Sequence, residues 1–111
     1  MATTFDPIQL VPLTELTNSF VSYRLVTETN GVLIRQIIAN NRDSGIQSFD
    51  ITLDGATGAE AKRLYRNVEV QPGETLVLPV HDVVVNGENI GIKASNNSVI
   101  NIMISGIKLS S

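Results

Sequence analysis

The sequence predicts an all-β fold, namely a two-layer antiparallel β-sandwich or small jelly roll of seven to eight strands. Val and Ile supply 12 residues each, and Thr another 9, of the 111. Their restricted χ1 angles suit pleated strands better than helices. Apolar residues recur in short runs separated by Gly, Pro, Asn and Asp, and no long segment has helical apolar spacing. Sequential short strands without helical crossovers favour a sandwich.

The length corresponds to one domain, and its composition supports a packed interior. Hydrophobic residues make up 42% and charged residues 17% of the chain, a balance typical of a globular protein. Residues 1–19 differ from the rest because prolines and polar residues interrupt their apolar positions. We expect them to form an N-terminal arm or edge segment, with the β-sandwich domain in residues 20–111.

The first strands of the domain are predicted on either side of Asn30-Gly31. Residues 20–28 alternate apolar and polar side chains, and Asn-Gly tolerates the positive φ of a tight turn. We therefore expect a hairpin between residues 20–28 and 32–40. The second of these strands is apolar on both faces, which predicts a central position or a face covered by another chain.

Turn residues separate the middle strands. After the turn at residues 41–45, alternation over 47–53 places Phe49, Ile51 and Leu53 in the core. Residues 62–68 form a short basic strand, and Gln-Pro-Gly-Glu at 71–74 has the composition of a type II turn opening another hairpin.

The last strands are predicted from simple alternation. Pro79, in the strand that begins at Thr75, indicates an edge or a strand end, since proline donates no ladder hydrogen bond. Further on, turns at 86–88 and 96–98 separate strands whose inward residues are Ile90, Ile92 and Ala94, followed by Ile100, Ile102 and Ile104.

Composition excludes several kinds of chemistry. The absence of cysteine removes disulfides, thiolate zinc sites and a Cys nucleophile, and the single His81 removes a multi-histidine metal site. A formal net charge of -3 argues against a protein that chiefly neutralises phosphates. No serine lies in a Gly-x-Ser-x-Gly motif. We expect no cofactor, no direct nucleic-acid binding and no enzymatic activity.

Three local clusters allow a functional interpretation, and each has a simpler one. His81-Asp82 suggests a general base, but neighbouring strand residues point to opposite faces. Acidic residues near a Gly-rich loop suggest calcium, but without the spacing of an EF-hand: Asp50, Asp54 and Glu60. The basic strand has cations around an aromatic ring, which suits nucleic acid, the covering of a strand edge or an acidic partner: Lys62, Arg63, Tyr65 and Arg66.

The order of several motifs resembles small structural proteins of tailed bacteriophage virions. In that pattern a strand ending in NN or NR is followed by a tyrosine, a short strand and a Pro/Ala-Gly-Glu-Thr-Leu hairpin, then by a Gly-Asp/Glu-x-Ile/Val hairpin and a closing ISG strand. The match covers roughly residues 31–107. The matching segments are IRQIIANN (34–41), FDITL (49–53), LYRNV (64–68), QPGETLVL (71–78), GENIGIKAS (87–95) and INIMISG (100–106).

The resemblance implies a non-enzymatic virion protein, in the first place a capsid decoration (cement) protein that binds between major capsid subunits, often as a homotrimer. The alternative is a tail, baseplate or head-fibre module that binds other virion proteins or a host glycan. The location would be the virion, after synthesis in the host cytoplasm, since no signal peptide or membrane span is found. The expected contact residues are Ile8, Leu10, Val11, Leu13 and Leu16 of the leader, and Arg63, Tyr65 and Arg66 of the basic strand.

A carbohydrate-binding module is the main interpretation from another class. Sandwiches of this size often carry glycan sites, but sugar rings are usually stacked on aromatic side chains. The chain has no Trp and only two Tyr, which weakens this interpretation.

Overall fold

The computed structural model describes residues 4–55 and 62–110. Within these residues the chain forms eight β-strands and no α-helix, so the described part holds no helix capable of crossing a membrane. The strands are β1 (Thr4–Glu15), β2 (Val21–Leu25), β3 (Val32–Asn41), β4 (Gln47–Thr52), β5 (Arg63–Val70), β6 (Thr75–Val84), β7 (Asn89–Ala94) and β8 (Ile100–Ser110).

The strands form two antiparallel sheets of four. Sheet 1 has the order β1-β8-β3-β6, and sheet 2 has the order β2-β7-β4-β5. Among the described strands, β4 and β5 are the only consecutive pair that share a ladder. Every other connection passes from one sheet to the other. The predicted two-layer antiparallel β-sandwich of seven to eight strands is confirmed.

Both predicted hairpins are wrong, although the turns themselves form. Gly31 has a φ of +80° and its N–H donates to the carbonyl of Glu28, yet β2 lies in sheet 2 and β3 in sheet 1. Likewise Gly73 has a φ of +73° and the N–H of Glu74 donates to Gln71 at 3.0 Å, but β5 and β6 are in different sheets. The residues of a turn determine that the chain reverses, but they do not determine with which strand the next strand pairs.

The inner faces of the two sheets pack on each other through branched apolar side chains. Phe49 and Ile51 are buried as predicted, and Leu53 packs against the core from its margin. Five isoleucines of β7 and β8 fill the centre of this layer and are fully buried: Ile90, Ile92, Ile100, Ile102 and Ile104. Such interdigitation of two inner faces is the main source of stability in a sandwich.

The leader forms an edge strand. Residues 4–15 are β1, which pairs with β8 at the margin of sheet 1, with register shifts between Gln9 and Val11 and between Val11 and Thr14. Pro12 lies within the second shift, as expected for a residue that cannot donate to a ladder. Leu10 and Val11 are buried in the core. The described part of residues 1–19 is therefore integral to the sandwich.

One end of the sandwich is fixed by the buried side chain of Asn41, the last residue of β3. Its amide nitrogen donates to the carbonyl oxygens of Gly45 and Val70, each at 2.9 Å, and its Oδ1 accepts the N–H of Asp43 at 2.8 Å. Asn41 thus satisfies three backbone groups from the β3–β4 loop and from β5, in a site with no exposed area. This explains why the strand ends in asparagine.

Gly106 is required by a close approach of two strands. A Cβ atom on Gly106 would lie 2.1 Å from the carbonyl oxygen of Leu33 in β3 and 2.9 Å from a methyl carbon of Leu10. No side chain fits without displacing the backbone. The glycine of the closing ISG motif therefore allows β8 to lie between β1 and β3.

We predict that Asn41→Ala lowers the free energy of unfolding by about 1–3 kcal/mol, because it leaves buried carbonyl groups without donors. The neighbouring Asn40→Ala is the matched control. Asn40 is only half-buried and donates to the Thr75 hydroxyl, so its loss should cost at most about 0.5 kcal/mol. Urea denaturation measures both values, and equal losses for the two variants would contradict the role given to Asn41.

We also predict that Gly106→Ala destabilises the fold by about 1–3 kcal/mol through overpacking. Gly45→Ala serves as the control, since its added Cβ would meet nothing closer than a carboxylate oxygen of Asp43 at 3.5 Å. Thermal unfolding followed by circular dichroism compares the two variants. An unchanged midpoint for Gly106→Ala would show that β8 and β3 are less closely apposed than described.

Candidate partner-binding surface

The outer face of sheet 1 carries two rows of apolar side chains that cross the strands. The cross-strand register aligns Val83, Leu33, Ile107 and Pro7 in the first row, from β6 through β3 and β8 to β1. The second row consists of Val77, Ile38 and Met103. We call these seven residues the apolar rows.

The apolar rows face away from the core. Leu33, Ile38, Met103 and Ile107 alternate along their strands with buried residues, and none of them packs against the core cluster. On edge strand β6, Val77 and Val83 are 48% and 57% exposed. The central position predicted for residues 32–40 is confirmed, because β3 lies between β8 and β6. The apolar face of β3 that points away from the core is part of the outer face of sheet 1.

A groove of about 480 Å³ opens on this face where β1, β8 and β3 lie side by side. Apolar side chains of Pro7, Met103 and Ile107 line it together with the neutral polar residues Gln9 and Ser105. The Gln9 amide donates to the sulfur of Met103 at 3.1 Å, which fixes one wall. The volume lies within the range of small ligand sites.

Arg35 supplies the charge of this groove. In the β3–β8 register Ile34 is opposite Gly106 and Gln36 is opposite Ser105, so Arg35 is the extra residue of a β-bulge. Its side chain is exposed and lines the groove. Bulges redirect side chains near functional surfaces, and here the bulge places a guanidinium group beside apolar walls.

The five leader residues predicted to bind a partner occupy different environments. Leu10, Val11 and Leu16 are buried in the core, with at most 1% of their surface exposed in this fold. Ile8 is half-buried and lines the groove, whereas Leu13 is 67% exposed. Partner binding by these residues stays a prediction, and the structure leaves Ile8 and Leu13 accessible for it.

The basic strand makes contacts within the chain. The guanidinium of Arg63 lies 2.7 Å from a carboxylate oxygen of Asp50, and their side chains are only 8% and 10% exposed. Arg63 also stacks on Phe20, with its Cζ 4.7 Å from the ring centroid. The other oxygen of Asp50 accepts the N–H of Asn67 at 3.0 Å. This cluster stabilises the outer face of sheet 2.

Tyr65, the second predicted contact residue of β5, joins the two sheets at their margin. Its hydroxyl donates to a carboxylate oxygen of Asp82 in β6 at 2.5 Å. Burial, together with this hydrogen bond and the negative charge of Asp82, raises the pKa of Tyr65 well above its usual value. Arg66, the third, is exposed. Their binding to a partner also stays a prediction.

The described residues contain no group of three metal-ligating side chains. His81 is exposed, while Asp82 accepts the hydrogen bond from Tyr65. Of the acidic residues considered for calcium, Asp50 is paired with Arg63, and Glu60 lies outside the described residues. Within the described part, the outer face of sheet 1 is therefore the best candidate for a functional surface.

Comparisons with known proteins identify a similar fold. No protein-family model and no curated protein matches the sequence. A chain from the crystal structure of the T13 viral particle of IBDV has a TM-score of 0.52 and 10% identity, with 96% of this chain and 31% of that chain covered. A chain of infectious bursal disease virus, Gx strain, has a TM-score of 0.50 and 9% identity, with coverages of 95% and 33%.

The present chain spans about one third of the length of these two viral chains. At such low identity the likeness shows the fold alone. A sandwich of this architecture therefore occurs within larger chains of a viral particle.

We predict that stability falls above about pH 10 because Tyr65 ionises more readily in the unfolded chain. Its raised pKa in the fold contributes stability that is present below the unfolded pKa and is lost as the pH rises. Tyr65→Phe should flatten this dependence. Tyr23, whose pKa burial also raises, remains in both proteins as a common background. Urea midpoints between pH 8 and 11 test this, and identical slopes for the two proteins would contradict it.

Proposed function

We propose that the protein is a non-enzymatic structural component of a virion that acts by packing the outer face of sheet 1 against other virion proteins. The observation that carries this proposal is the pair of apolar rows on a sheet face that none of residues 4–55 and 62–110 covers. The largest apolar patches on monomeric proteins are often functional, as interaction surfaces or binding grooves. The fold likeness to chains of viral particles supports the same function.

We further propose that the sandwich is a jelly roll. In support, β1 pairs with β8 and β3 with β6 in one sheet, whereas β2 pairs with β7 and β4 with β5 in the other. The eight strands are thereby divided as two interlocked Greek keys would divide them, an arrangement used by many viral capsid domains.

The virus class and the position in the particle come from the resemblance of the motif order over residues 31–107. It favours a capsid decoration protein of a tailed bacteriophage, bound between major capsid subunits as a homotrimer. Such a protein stabilises the shell because it binds the assembled form and not the dissociated subunits. The exposed residues Leu13 and Arg66 are additional candidates for contacts with the shell.

The test is to locate the chain in virions of the phage that encodes it. Mass spectrometry of purified particles should detect the protein, and gold-labelled antibodies raised against the purified chain should decorate the heads. Light scattering of the free chain should give three times its mass of 12.0 kDa. Labelling of the tail would replace the decoration proposal by that of a tail module, and absence from the particle would overturn the virion function.

Substitutions on the outer face test which surface binds. Val77→Thr with Val83→Thr keeps the β-branched shape while removing apolar area, and should weaken binding to heads that lack the protein. The matched control is Val21→Thr with Ile46→Thr, at sites that are 37% and 53% exposed in β2 and in the β3–β4 loop. Equal binding by the two double variants, measured by co-sedimentation, would exclude the outer face of sheet 1.

A further inference from the structure

We propose that the groove beside Arg35 binds an acidic side chain flanked by apolar residues, presented by an extended segment of a partner virion protein. This inference rests on the proposed function, since it specifies the chemistry of the segment that the outer face of sheet 1 recognises. It concerns one subsite, the groove lined by Pro7, Gln9, Arg35, Met103, Ser105 and Ile107.

The charge of Arg35 is not satisfied within the described chain. Four of the seven other cations are in ion pairs: Arg24 with Glu28 at 2.6 Å, Arg42 with Glu15 at 3.0 Å, Lys62 with Glu88 at 3.6 Å and Arg63 with Asp50 at 2.7 Å. Arg35 has no acidic or hydrogen-bonding partner among the described residues, and its groove neighbours are neutral. A guanidinium group forms its strongest hydrogen bonds with a carboxylate.

The apolar side chains that line the groove indicate which residues should lie beside the acidic residue of the partner segment. Met103 and Ile107 lie on either side of Ser105 on the same outer face of β8. An extended segment laid along this strand presents alternate side chains to the sheet at the same spacing. Apolar side chains on both sides of the acid would therefore contact the two walls, and the covered ion pair would be strengthened by the exclusion of water.

The size of the apolar patch and the positive charge of Arg35 both argue against a second copy of this chain as the molecule that occupies the groove. Four strands about 4.8 Å apart, with the apolar rows five residues apart along β3, give an apolar patch of roughly 300 Å². A stable interface usually buries about 800 Å² per partner. A symmetric face-to-face dimer would also bring two Arg35 side chains together near the middle of sheet 1, where like charges repel.

The test uses a blocked pentapeptide, N-acetyl-Val-Ser-Asp-Ser-Val-amide, whose two valines point to the same side as the acid when the peptide is extended, and its Asn counterpart, added to the isotopically labelled full-length protein. We expect NMR shifts of the backbone amides of Gln9, Arg35, Ser105 and Gly106 that saturate in the millimolar range. The Asn peptide should bind at least about tenfold more weakly. Arg35→Gln should abolish this preference for the acid, whereas Lys108→Gln, which removes the same charge outside the groove, should leave it unchanged.

The proposal would be overturned if about 10 mM peptide caused no shifts in the groove, since a millimolar ligand is largely bound at that concentration. Equal affinity for the Asp and Asn peptides would also overturn it. So would an Arg35→Gln protein that still prefers the Asp peptide as strongly as the unchanged protein does. The amide spectrum of each variant shows directly that it is folded. A chain that is found in virions but lacks the acid preference disproves the groove assignment alone. A chain that has the preference but is absent from virions disproves the proposed virion function alone.

Discussion

The pairing of β8 with both β1 and β3 is the interaction on which the rest of the structure depends. It joins the first and last strands of the chain, and it places Ile102 in the core while Met103 faces outwards. Gly106 makes this arrangement possible, because a side chain there would collide with the Leu33 carbonyl. Contacts between such distant parts of the sequence cannot form until most of the chain is present. The candidate surface is therefore a product of the completed sandwich.

Much of the fold follows from short-range signals. Alternation identifies the strands, and residues such as Gly31 and Gly73 mark the turns correctly because a positive φ is a local requirement. The pairing of strands is not local. Whether the chain returns to the same sheet after a turn depends on the packing of two apolar layers, so the sequence could not distinguish a hairpin from a crossover. The mistaken hairpins at residues 30–31 and 71–74 both arise in this way.

The candidate surface was only partly predictable. The two-sided apolar character of β3 predicts a central position or a face covered by another chain, and β3 is central in sheet 1. The alignment of Leu33 with Val83 and Ile107, however, depends on register and on the bulge at Arg35. The contacts of the basic strand within the chain were not predictable for a related reason. Arg63 and Asp50 lie 13 positions apart, and their buried ion pair forms only once β4 and β5 are in register.

The distribution of charge explains how such a surface can be selective. Apolar rows bind many apolar partners with little preference, whereas a cation that lacks an internal partner favours a ligand that brings a carboxylate and disfavours one that does not. Sheet 2 differs, since Arg63 forms an ion pair with Asp50 and stacks on Phe20 at its outer face. Arg35 stands on a bulge beside neutral walls. Under the proposed function, the outer face of sheet 2 pairs charges within the chain, whereas the outer face of sheet 1 presents Arg35 to a partner.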